Sequence, residues 1–159
     1  RRALSACGYA LVTSLVVFGP FFIGFRIYWQ RLGFLSPDAH FHVPWTPRAF
    51  GSDVAAQLLM VALPEEAFYR GYLQSRFTLA LDGVGHRGRT AGAIFITSAI
   101  FAVGHFVTIH HPQRLAVFFP SILFGLLRVR TKGIGSSVLF HALCNLFSEM
   151  LGKGFGVFA

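Results

Sequence analysis

Charged residues fall in bands along this chain, and long stretches between them carry none. Ala3 to Phe25 holds no charged side chain, and neither does Thr90 to Ile109. Each exceeds the roughly 18 apolar residues that nominate a membrane-spanning helix. Three shorter bands follow: Val54 to Pro64, Leu115 to Leu127, and Gly133 to Ser148. Crossing a bilayer would require these to tilt, to let flanking arginines snorkel, or to shelter among neighbours. Pro37, Pro44 and Pro47 mark a loop, and Leu81 to Arg89, with Gly83, Gly85 and Gly88, reads as a connector. The pattern predicts five helices at about residues 4–29, 48–80, 90–110, 113–130 and 135–152. Gly19, Pro20 and Gly24 are expected kink points in the first. No alternating strand pattern appears, and in lipid only helices or closed barrels satisfy every backbone polar group. The expected fold is therefore all-α: a polytopic transmembrane helical bundle, read as one integral-membrane domain over residues 1–159 with its site inside.

Composition agrees with a lipid setting. Apolar residues make up 54% of the chain and charged residues 13%, where a soluble domain carries about a quarter charged. The net charge of +8 raises the question of nucleic acid, but its placement answers it. If five helices alternate direction, Arg1, Arg2, Arg76, Arg87, Arg89, Arg128, Arg130 and Lys132 share one side, and Arg26, Arg31, Arg48, Arg114 and Lys153 the other. Eight against five is the bias of positive-inside loops, so the N-terminus is expected in the cytoplasm, in the cytoplasmic membrane, with no nucleic-acid partner. Tyr28, Trp29 and Trp45 then fall at the opposite interface, where amphipathic rings collect. Arg1 and Arg2 before an apolar run resemble a secretory signal, but 23 residues without charge are too long for its apolar core, so a retained helix is expected. The chain does not begin with methionine, and it is expected to be either trimmed or a piece of a longer protein.

Polar side chains inside such bands cost several kcal/mol unless they face a partner or a wet cavity, which makes them candidates for chemistry. Glu66 and Arg70 lie four apart, on one helical face, and are expected to pair. Glu65 then points about 100° away, toward a cavity. A carboxylate in a low-dielectric site gains basicity, which suits Glu65 to the role of general base toward water. Pro64 either interrupts the helix beside the glutamates or begins a new one. On the third helix Ser98, Phe101, Ala102 and His105 share a face of small residues ending in an imidazole. On the fifth, Ser137, His141, Asn145 and Ser148 form a polar stripe at helical spacing. A rise of about 1.5 Å per residue from the basic ends lets Glu65, His105 and His141 meet near the bilayer midplane. The bland alternative is an ion network and interhelical hydrogen bonds that only pack the bundle. Cys144 reads as a small buried apolar residue, Cys7 as inert, and His40, His42, His86, His110 and His111 as interfacial or solvated.

Glu65 to Gln74 resembles the EExxxR motif of the CPBP intramembrane proteases, which include the CAAX prenyl endopeptidases and bacteriocin-processing relatives. Phe101 to His105 is similar to their FxxxH motif, and His141 to Asn145 to their HxxxN motif. The three occur in order over 81 residues, within a family-like core of about residues 50–150. The resemblance implies an endopeptidase acting on a membrane-associated protein or peptide. Glu65 and His105 would activate water, His141 and Asn145 would donate hydrogen bonds to the oxyanion, and Glu66 and Arg70 would brace the site. The family is often labelled metalloprotease, so a zinc ion on Glu65, His105 and His141 is the alternative to metal-free chemistry, though HExxH is absent. Substrate peptide and membrane lipids are the expected partners. A non-catalytic scaffold or bacteriocin-immunity protein of the same family is the rival function, and a proton-coupled transporter the more distant one.

Overall fold

A computed structural model describes residues 2–83 and 85–157, so Arg1 of the basic N-terminal group lies outside the described residues. Every charge-poor band becomes helix. The first, α1, runs Arg2–Arg31 and passes through Pro20. Beyond it, Gly33 turns the chain at φ 77° and an extended loop follows. The Phe41 ring in that loop presses against the end of the last helix at Gly154, where any Cβ would overlap it, and the His42 amide donates to the Gly154 carbonyl at 2.9 Å.

Helix α2 covers residues 47–80 without a break. Thr46 caps it by accepting from the Ala49 amide, and Pro47 occupies the first turn, where its missing donor costs nothing. Two wider turns interrupt its α geometry, at Gln57–Ala62 and Ala67–Leu73. In these π turns hydrogen bonds reach back five residues, Leu63 N–H to Leu58 and Gln74 N–H to Tyr69. Pro64 follows the first of them. The widened ladder accommodates the absent amide, so the helix continues through a residue that would otherwise break it.

Helix α3 spans His86–Thr108 and starts earlier than the sequence pattern indicates. Gly85 adopts an extended conformation before it, and Arg87 and Arg89 lie in the opening turns, with Arg89 paired to Asp82 at 2.9 Å. Pro112 opens a tight 3-10 turn, Pro112–Val117, so α4 proper is shorter than expected, Phe118–Thr131. Lys132, at φ 55°, ends it in the left-handed region. Helix α5, Gly135–Gly154, follows. The spans Ala3–Arg31 and His86–Thr108 are each long and apolar enough to cross a membrane.

Among the described residues five helices form a bundle in which α5 packs against α1, α2 and α4, and α3 against α2 and α4. Its apolar centre is Ala10, Phe101, Phe124, Leu127 and Phe140. The periphery is apolar too: Leu15 is 80% exposed and Phe119 70%, as suits side chains whose solvent is hydrocarbon. Phe18 stacks on Phe147 at 4.2 Å and holds α1 to α5.

Helices α2, α3 and α4 crowd together at Gly125. A Cβ there would stand 2.9 Å from the Ile94 Cγ2 and 3.1 Å from the Gln74 Oε1. Gly125→Val should therefore push α4 off its neighbours and cost about 1–3 kcal/mol. The measurement is the thermal midpoint in detergent, which should fall by several degrees.

Candidate active site

The two adjacent glutamates take different surroundings, as their offset around α2 demands. Glu66 and Arg70 are fully buried. The Glu66 Oε2 lies 3.4 Å from the Arg70 Nε, and the Glu66 Oε1 accepts from the His141 Nδ1 at 3.0 Å. The Arg70 Nη2 donates to the Ser121 carbonyl at 2.9 Å and to its Oγ at 2.5 Å. The guanidinium also sits over the Phe101 and Phe124 rings, 4.8 and 5.1 Å from their centroids. One ion pair on α2 thereby reaches α3, α4 and α5.

The second π turn extends this buried column. In an uninterrupted helix Gln74 would lie about 80° round from Glu66, and the extra residue of a π turn brings it back to within about 20°. Gln74 is accordingly buried, and its amide donates to the Gly125 carbonyl, one turn along α4 from Ser121.

Glu65 is half-buried and belongs to the other face. Its Oε2 is screened from solvent and has no hydrogen-bond partner among the described residues. Two imidazole nitrogens flank it: the Nε2 of His105 at 4.0 Å and the Nε2 of His141 at 3.9 Å. Each ring is oriented from behind. The His105 Nδ1 lies 3.0 Å from the Phe101 carbonyl, which can only accept, so Nδ1 carries the proton. Glu66 imposes the same state on the His141 Nδ1, and His141 stacks on Phe124 at 4.7 Å. The separations at Glu65 exceed a direct hydrogen bond and suit one intervening small donor. A cavity of about 280 Å³ opens beside it, lined by Glu65, Tyr69, His105, Thr108, Ile109 and Arg114.

Glu65, His105 and His141 thus come together as the sequence indicates, with Glu66 and Arg70 behind them. Asn145 takes a partner that the sequence does not reveal. Its Nδ2 donates to the Oε1 of Gln57, two turns earlier on α2, at 2.9 Å. Ser121, which receives Arg70, is equally unmarked in the sequence, because one serine in a Phe-rich helix carries no pattern. Ser137 is buried and donates to the Phe124 carbonyl, so that part of the α5 polar stripe serves packing. Cys144 packs against the apolar centre.

The zinc alternative meets a geometric test. Two imidazoles and a carboxylate are suitable donor types, and backing partners on both Nδ1 atoms are of the usual kind. Zinc bonds of about 2.0–2.2 Å, however, place tetrahedral donors about 3.4 Å apart. The 3.9 and 4.0 Å spacings are wider, and among the described residues no three His, Cys, Asp or Glu side chains are placed to hold a metal ion. Glu65, His105 and His141 as arranged do not fit that centre.

Arg70→Met would leave the Glu66 carboxylate buried with His141 alone. A loss of about 3–5 kcal/mol is expected, read as a fall in thermal midpoint. The double variant Glu66→Gln with Arg70→Met should recover part of it.

The family described as type II CAAX prenyl endopeptidase Rce1-like matches residues 47–147. Neither a curated protein nor a solved structure matches the chain. The matched stretch opens at the first residue of α2 and closes just after Asn145, leaving out α1. It takes in the whole polar cluster and more than half of the chain, and the protein therefore belongs to the type II CAAX prenyl endopeptidase Rce1-like family, a family of membrane proteases.

Proposed function

We propose that this membrane protease is an endopeptidase that hydrolyses a peptide bond of a membrane-associated protein or peptide with a water molecule activated by Glu65 and His105. The observation that carries the proposal is the Glu65 Oε2, buried without a hydrogen-bond partner among the described residues and about 4 Å from two imidazole nitrogens. With its Nδ1 proton given to the Phe101 carbonyl, His105 in its neutral form presents a lone pair at Nε2. That lone pair and the Glu65 carboxylate are both acceptors. A water donating to each would fit the gap between them and be held with its oxygen free to attack.

Glu65 takes a proton from this water as its oxygen bonds to the substrate carbonyl carbon. The carbonyl oxygen becomes an oxyanion. His141 donates to it from Nε2 when the ring carries its second proton, Nδ1–H being committed to Glu66. Asn145 supplies the Nδ2 hydrogen that Gln57 does not use. Collapse of the intermediate breaks the C–N bond, and Glu65 passes its proton to the leaving amine. Each preorganised donor in such a site contributes a few kcal/mol to the transition state. No acyl-enzyme forms. The basic ends of the helices, with the N-terminus, are proposed to face the cytoplasm, from the eight-to-five distribution of Arg and Lys.

The experiment is hydrolysis of a membrane-anchored peptide by the purified protein in liposomes. Glu65→Gln should lower kcat by at least about 10²-fold while leaving the thermal midpoint and peptide binding in place. Cleavage at the original rate would remove the proposal. Prolonged dialysis against a zinc chelator should leave the wild-type rate within about twofold. Loss that added zinc restores would replace water activation by carboxylate with a metal scheme.

A further inference from the structure

We infer that Gln57 is a positioning residue for Asn145, and that the first π turn of α2 exists in this chain to bring it there. The inference rests on the proposed hydrolytic reading of the site.

The geometry begins with phase. His141 and Asn145 are one turn apart on α5 and face the same neighbour, α2. Their partners on α2 are Glu66 and Gln57, nine residues apart. At about 100° per residue, an uninterrupted helix sets residues nine apart about 180° from each other, so only one of the two could face α5. The π turn at Gln57–Ala62 takes up one extra residue and closes that offset to about 80°. Both side chains then reach α5 from the same side. Glu66 accepts from His141 at 3.0 Å, and Gln57 accepts from Asn145 at 2.9 Å.

The hydrogen bond also decides which way the Asn145 amide is turned. With Gln57 Oε1 as acceptor, Nδ2 points one hydrogen at α2 and keeps the other for a further acceptor. Asn145 is half-buried, as is Gln57, so neither is freely reoriented by bulk water. Without the acceptor at position 57 the amide can rotate or flip, and an oxyanion donor becomes an average over orientations. Gln57 would not touch the reacting atoms. Its effect belongs in kcat, because an oxyanion exists only after attack, and not in ground-state binding.

The test uses the full chain in liposomes with the same membrane-anchored peptide. Gln57→Leu and, as a smaller replacement that also lacks the acceptor, Gln57→Ala should each lower kcat about 10- to 100-fold with KM within about twofold. Gln57→Glu keeps an oxygen acceptor of the same reach and should stay within about threefold of wild type. In an Asn145→Ala background, Gln57→Leu should have no further effect on kcat. The inference is overturned if either acceptor-less variant that folds keeps the wild-type kcat, if Gln57→Glu loses as much as Gln57→Leu, or if the two substitutions multiply. Its failure is separable from that of the hydrolytic reading. Inactive Glu65→Gln beside fully active Gln57→Leu defeats only the role of Gln57, whereas active Glu65→Gln defeats the reading of the site itself.

Discussion

A guanidinium and a carboxylate buried together in a bundle whose outside is hydrocarbon form the constraint on which the other contacts depend. Neither Glu66 nor Arg70 has access to solvent, and neither could be stable there alone. Their mutual contact satisfies only part of each. Part of the remainder is met by Ser121 on α4, by His141 on α5, and by the faces of Phe101 and Phe124, while the Arg70 Nη1 stays buried without a hydrogen-bond partner among the described residues. Helices that share no apolar driving force against lipid are tied together by buried groups that are costly to leave unpaired. The close approach at Gly125 follows from the same column, since Gln74 continues it one turn further and must reach the backbone of α4.

That pair also frees its neighbour. Because Glu66 is committed to Arg70 and His141, Glu65 keeps a carboxylate oxygen with no hydrogen-bond partner among the described residues. The two imidazoles beside it are each held from behind, His105 by a backbone carbonyl of its own helix and His141 by Glu66. Adjacent residues are thus given different surroundings by the rotation of one helical step. A site built this way is preorganised by packing: neither ring can turn without breaking a hydrogen bond, buried at His141 and partly buried at His105. Membership of a membrane-protease family and this arrangement support each other, since the matched stretch ends where the polar cluster ends.

Much of this was legible in the chain. The charge-free bands marked helices, the i,i+4 spacing of Glu66 and Arg70 marked their pairing, and the offset of Glu65 marked it as the free carboxylate. The seam Ser98, Phe101, Ala102 faces inward as its spacing requires, with His105 at its end. Helix ends were less legible. Residues 86–89 are charged and glycine-rich yet helical, because the Gly85 conformation and the Arg89–Asp82 pair settle that end. The start of α4 was displaced by the tight turn after Pro112, which periodicity does not register.

The sequence by itself determined which segments are helical, which faces are polar, and that two adjacent glutamates must take different surroundings, because these follow from a fixed rotation per residue and from the cost of charge in lipid. Tertiary structure alone decided that α2 takes up two π turns, and hence that Gln57 and Gln74 join the inner face, that Ser121 receives Arg70, and that about 4 Å separates Glu65 from each imidazole. A π turn adds one residue to a turn without any residue type that announces it. Distances between helices arise from how side chains from remote segments fill the space between them, and no spacing along a single chain encodes that.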